Sequence, residues 1–152
     1  MSFLNSRQAA FVIYLPAVLT GIYILTFGTN VPLADQWDFV RLLEMVKGGT
    51  ASFHDIWVQH NEHRIFFPKL IMIVLASITG YNVVAEMLFT WLILIAFYIY
   101  IAKAHGTRVE TGYLLLVSLF VFSWVQAENL LWGFQIGLTL PILCAFAALF
   151  HL

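Results

Sequence analysis

Two carboxylates three residues apart, Asp35 and Asp38, stand in the stretch Pro32-Leu33-Ala34-Asp35-Gln36-Trp37-Asp38, just beyond a long apolar run. A carboxylate held there can serve as a general base, or as a ligand for a divalent cation such as Mg or Mn. The same acids have a plainer use. Asp35 sits where a helix N-cap belongs, and Asp38 favours the positive end of that helix. The two uses are compatible, because a capping acid is also a rigidly placed one.

A second cluster is His60-Asn61-Glu62-His63-Arg64, which runs into Ile65-Phe66-Phe67-Pro68-Lys69. His60, His63 and Glu62 carry donor atoms for a metal, but their spacing is not His-Glu-x-x-His and no cysteine assists, which disfavours zinc. The density of hydrogen-bonding side chains suits a polar substrate. Arg64 and Lys69 can hold a phosphate, Arg through its bidentate fork; their plainer role is to snorkel at a membrane surface.

The third cluster is Glu128-Asn129, between two apolar runs, with Trp124 and Trp132 outside it and Gln126 and Gln135 close by. A carboxylate drawn to the centre of a bilayer costs up to ~3 kcal/mol, so an acid here is a functional candidate by default. A simple turn needs fewer polar groups than these. The catalytic candidates are therefore Asp35, Asp38 and Glu128. The substrate-binding candidates are His60, Glu62, His63, Arg64, Lys69 and Gln135, and Asp35 with Asp38 is the candidate metal pair. Glu86 reads as a helix N-terminal acid near the interface. His105 and His151 carry no signal.

The elements that must position these groups follow from composition. Of 152 residues, 62% are hydrophobic and 10% charged, with a mean hydropathy of +0.90. Ordinary soluble chains are about a quarter charged, so this one lacks the polar surface to coat a soluble particle. Disorder is excluded on the same ground. With 7 Lys and Arg against 8 Asp and Glu there is no basic excess for nucleic acid. Cys144 is the one cysteine, which excludes an intramolecular disulfide. The fold class is all-α and integral to a membrane.

Spanning a bilayer asks for about 20 apolar residues. Residues 9–27, 83–101, 111–127 and 130–152 qualify, giving four spans. The first is longer than a signal-peptide core, and Phe27-Gly28-Thr29-Asn30 is a poor cleavage site, so it reads as a retained anchor. Residues 65–80 would reach only about 24 Å as a helix. With Pro68 and Lys69 in the first turn, they read as a juxtamembrane helix on or dipping into the membrane surface. Phe39, Leu42, Leu43 and Val46 form an apolar stripe opposite Arg41, Glu44 and Lys47, stopped by Gly48-Gly49: a second amphipathic helix.

The long loop, residues 28–82, holds five of the eight acids and three of the five histidines. With four spans it shares a side with Glu128. Arg7, Lys103 and Arg108 sit within a few residues of span ends, which favours a cytoplasmic N-terminus and an external loop. Tyr98, Tyr100 and Tyr113 are placed as interfacial aromatics around the inner loop. The chain stops at His151-Leu152 with no charged flank after the last run, and reads as a single membrane domain, the N-terminal part of a longer protein.

In this order of features the chain resembles the front of the GT-C superfamily of polytopic membrane glycosyltransferases, of the protein O-mannosyltransferase and aminoarabinose-transferase type. The features are an N-terminal span and an external loop opening Ala34-Asp35-Gln36-Trp37-Asp38. A His-containing segment then runs into a short apolar helix, followed by a basic inner loop at Lys103-Ala104-His105-Gly106 and a span ending at Glu128. The resemblance covers only the family's N-terminal portion. The strings His-Asn-Glu-His-Arg and Glu-Asn-Leu-Leu-Trp-Gly-Phe-Gln suggest an uncharacterised branch.

The resemblance implies a polyprenyl-phosphate-linked sugar donor, used on the non-cytoplasmic face of a bacterial or archaeal cell (inner) membrane, with membrane lipid as the other partner. Asp35 or Asp38 then matches the loop acid that acts as base or metal ligand, His60 the start of a His-Pro-Pro-like segment, and Glu128 an acid after the third span. Here Asn61-Glu62 replace the prolines. The expectation from another class is a small non-catalytic membrane protein or subunit that binds lipid, ion or a partner through its external loop. A transporter half ranks last.

Overall fold

The computed structural model describes residues 6–104 and 110–151. His105 and Arg108, used above for the inner loop and the orientation, lie outside the described residues, as does Leu152. The described chain is α-helical without strands, and four segments are long and apolar enough to cross a membrane: Arg7–Phe27, Val83–Ala104, Thr111–Leu130 and Gly133–His151. The protein is an all-α integral membrane protein, as its composition requires.

The helices in order are α1 (Ser6–Phe27), α2 (Gln36–Lys47), α3 (Phe53–Trp57), α4 (Phe66–Thr79), α5 (Val83–Ala104), α6 (Thr111–Val121), α7 (Ala127–Leu130) and α8 (Ile136–His151). Two 3₁₀ turns, Trp124–Gln126 and Gly133–Gln135, flank α7. α1 and α5 have 22 residues each, which at 1.5 Å per residue is about 33 Å, enough for the hydrocarbon core. Pro16 is tolerated inside α1 because neighbouring spans can re-satisfy a freed carbonyl. Phe11, Val18, Ile22 and Leu25 of α1 and Leu116, Leu119 and Phe120 of α6 point outward. Such a surface belongs in lipid.

α1 is fastened to its neighbours by hydrogen bonds to its backbone. Trp91 Nε1 donates to Ala17 O at 2.9 Å and Ser118 Oγ to Ile13 O at 2.7 Å. Gly21 lets the indole lie close, since a Cβ there would stand 2.9 Å from Trp91 Cζ2. Tyr98, placed at the interface by its sequence position, is instead buried. It packs edge-on to Tyr14 and Phe122 and donates its hydroxyl to Leu114 O at 3.2 Å.

The third span departs from the continuous helix its sequence predicts. α6 has 11 residues, about 16 Å or half the core, and regular helix ends at Val121. The Phe122 carbonyl, freed by the break, accepts from Thr20 Oγ1 at 3.0 Å, and the Val121 carbonyl accepts from Gln126 Nε2 at 2.8 Å. Short helical turns carry the chain through residues 124–135 into α8.

α2 forms where its apolar periodicity places it and α4 where the short apolar run does, while α3 is not expected from the sequence. α2 buries Phe39, Leu42 and Leu43, and Gly49 follows it in the left-handed region at φ +67°. α4 buries Pro68, Lys69, Met72 and Ala76, and ends at Gly80 with φ +68°. Phe39, Leu42, Leu43, Met72, Ala76, Ile93 and Ile136 make one apolar core joining the loop helices to α5 and α8.

Candidate functional site

The segment that leads into α2 is held in a strained conformation. Ala34 has φ +48°, a left-handed geometry that costs an L-residue about 1–2 kcal/mol. It is over-determined from both sides. Trp132 Nε1 donates to Leu33 O at 3.1 Å, and Leu33 N donates to Gln36 Oε1 at 3.1 Å. Gln36 Nε2 in turn donates to Glu86 Oε2 at 2.8 Å. Strain maintained this way clusters at functional sites.

Asp35 occupies the N-cap position of α2, but its side chain makes no cap hydrogen bond. The capping role expected for it is therefore not the one it plays. Its carboxylate accepts from Asn61 Nδ2 at 3.2 Å and stands 3.4 Å from His60 Nε2. That approach lacks hydrogen-bond alignment, and the buried Nε2 has no hydrogen-bond partner. His60 is fixed by a two-residue hairpin. Its backbone exchanges hydrogen bonds of 2.8 and 2.9 Å with His63, around Asn61 at φ +50°, a conformation asparagine tolerates. The imidazole packs on Phe134 with ring centroids 5.2 Å apart.

Beside this pair opens a cleft of about 380 Å³ whose polar lining includes Asp38, Arg41, Asp55, His60, Asn61 and Lys69. Lys69 is buried and donates from Nζ to Val58 O at 2.9 Å. Burial pushes its amine below the usual lysine value. Asp55 accepts from Ser52 Oγ at 2.6 Å and Ser52 N at 2.7 Å, and these bonds hold its carboxyl below the usual range. The cleft thus offers two carboxylates, two cationic side chains and an imidazole within one small volume.

Of the residues singled out from sequence, Asp38, His60 and Lys69 line the cleft, and Asp35 joins them through His60 and Asn61. Glu62, His63 and Arg64 are exposed, and Arg64 lies over the Trp57 ring at 5.2 Å rather than in the cleft. Glu128 is exposed on α7, a single turn that directs Leu130 inward instead. Gln135 contributes its carbonyl to Thr139 Oγ1 at 2.9 Å. From that region it is Trp132, Gly133 and Phe134 that reach the site. Among the described residues no group of three or more His, Cys, Asp and Glu is arranged to hold a metal ion.

Several residues at the site escape sequence reasoning, Asp55, Arg41 and Glu86 among them. Arg41 reads from the sequence as one charge on the wet side of α2, and the fold sets it at the cleft wall. Glu86 lies in the first turn of α5, where the sequence places it, but its side chain is packed inside the protein and only 1% exposed. Gly133 packs directly on it: a Cβ there would stand 2.6 Å from Glu86 Oε2 and 2.9 Å from Gln36 Nε2. An acid in an otherwise uncharged span is the signal that could have marked it. Nearby Tyr81 has its hydroxyl pushed up to about 12 by burial and then by the Glu86 charge.

Comparison of the chain with protein-family models, with curated proteins and with solved structures finds no match.

Proposed function

We propose that the protein is a membrane glycosyltransferase, or the front of one, of the GT-C kind. It would transfer a sugar from a polyprenyl-phosphate donor to an acceptor hydroxyl at the non-cytoplasmic membrane face. The observation that carries this reading is the cleft that gathers Asp38 and His60 with Arg41 and Lys69, next to Asp35, between the loop helices and Phe134.

In this reading Asp38, or Asp35 beside His60, takes the proton of the acceptor hydroxyl as its oxygen bonds to the anomeric carbon. The bond from that carbon to the phosphate oxygen breaks, and polyprenyl phosphate leaves with the electron pair. Arg41 and Lys69 offset the phosphate charge, as preorganised cations do for a developing anion. Arg64, stacked on Trp57, serves as an interfacial anchor. A positioned base contributes about 10²–10⁴-fold. The test is release of polyprenyl phosphate from radiolabelled polyprenyl-phosphate mannose, glucose and aminoarabinose by the full-length chain in liposomes. Asp38→Asn and Asp35→Asn are compared at equal insertion.

The non-catalytic reading draws on Asp35, whose bond to Asn61 also fastens the hairpin to α2. It expects no turnover of any donor and an effect of Asp35→Asn on stability alone.

A further inference from the structure

The break in the third span lines a second pocket that shares no residue with the polar cleft. It has a volume of about 300 Å³, with Ile93, Phe97, Leu138 and Ile142 forming its apolar walls and Gln126 and Asn129 its polar part. Ile93 lies near the middle of the 22-residue α5, about 15 Å from its first residue. The pocket therefore reaches into the membrane interior. Irregular backbone at that depth is tolerated only where protein buries it or a cavity receives it. Broken spans that do so mark binding sites.

The lining defines the chemistry of the occupant. No ionisable side chain lines the pocket, so a charged group would enter without a counter-charge. Thr139, also at the wall, has its hydroxyl committed to Gln135 O, and the Gln126 amide nitrogen is committed to Val121 O. That leaves Gln126 Oε1 to accept, and the Asn129 carboxamide to donate and accept. Neither has a side-chain hydrogen bond among the described residues. The walls come from three membrane-embedded segments, so an apolar chain is the occupant they match.

We propose that this pocket binds a single-chain neutral amphiphile of the long-chain alcohol class. The chain lies along Ile93, Phe97 and Ile142, and the hydroxyl donates to Gln126 Oε1 while accepting from Asn129 Nδ2. The site does not depend on the glycosyl-transfer reading.

The test is photolabelling of the full-length protein in nanodiscs with three diazirine probes of one chain length: an alcohol, an alkane and a carboxylate. The alcohol should label peptides within residues 126–142 in preference to the outward face of α1. Its excess over the alkane should be roughly three- to tenfold, the range one net hydrogen bond confers. Asn129→Leu, which removes one of the two hydrogen bonds, should lower the alcohol's excess over the alkane, and Ile142→Trp should block both probes without changing labelling of α1. Equal labelling by all three probes, preference for the carboxylate, or alcohol labelling unchanged in Asn129→Leu would overturn the assignment. Circular dichroism of each variant separates these results from misfolding, and Asn129→Gln, which keeps the amide, should retain the preference for the alcohol.

Discussion

Gln36 Nε2 and Glu86 Oε2 are 2.8 Å apart although the residues are separated by 50 positions, and both side chains are fully buried. This one bond joins the first turn of the loop helix α2 to the first turn of the span α5. Gln36→Leu removes the donor and leaves a buried carboxylate with neither oxygen hydrogen-bonded, since Oε1 already has no partner. The expected loss is about 1–3 kcal/mol, read as a lowered melting temperature in detergent. Adding Glu86→Leu should recover part of it, because removing both polar partners is gentler than removing one. A Gln36→Leu protein that melts like wild type would show that the bond carries no weight.

Gly133 should tolerate no side chain. Its Cβ would lie 2.6 Å from Glu86 Oε2 and 2.8 Å from Glu86 Cβ, whereas a Cβ at Gly137 meets only Ile65 Cγ2 at 3.6 Å. Gly133→Ala is expected to cost about 1–3 kcal/mol by overpacking, and Gly137→Ala to be nearly neutral. Thermal melts of the two variants side by side decide this; equal melting temperatures would contradict the packing described.

Lys69 gives stability a pH dependence. Its folded value is lowered from 10.5 by burial, so between the depressed value and 10.5 the unfolded chain holds more protons than the folded one. Stability therefore rises with pH across that window. Tyr81 acts the other way above its ordinary value of 10.0, so the rise is to be read below that pH. Lys69→Met should flatten the slope. A wild-type slope that persists in Lys69→Met assigns it to another group.

The outer faces of the two loop helices differ in kind. α4 exposes Phe67, Leu70, Val74 and Ile78, at helical spacing along one stripe, while α2 exposes Asp38, Arg41, Glu44 and Lys47. A spin label at Val74 should collide with oxygen from the lipid phase more than with a water-soluble nickel complex, and one at Glu44 should do the reverse. The opposite pattern would place α4 in water.

The spans were legible because charge is nearly absent from four long runs, α2 because its apolar residues recur at helical period, and α4 because a short apolar run opens with Pro68. The break after Val121 was not legible, since residues 111–127 carry no charge or proline to announce it. It is maintained by Thr20 and Gln126, which cap the freed carbonyls, and by Tyr23, whose ring stacks 5.0 Å from Trp124. The same limit applies at the candidate site. Asp35, Asp38, His60 and Lys69 could be named from residue type and position. Which of the neighbouring polar residues face the cleft depends on a two-residue hairpin and a single helical turn. These turn Arg64 and Glu128 away and leave Arg41 at the cleft wall.

The proposed chemistry is tested most directly by sugar transfer from labelled polyprenyl-phosphate donors by wild type, Asp35→Asn and Asp38→Asn, each reconstituted at equal protein and equal insertion. The account predicts release of polyprenyl phosphate by wild type and a fall of about 10²–10⁴-fold in at least one of the two variants, with helix content unchanged. Wild-type rates in both variants would contradict it.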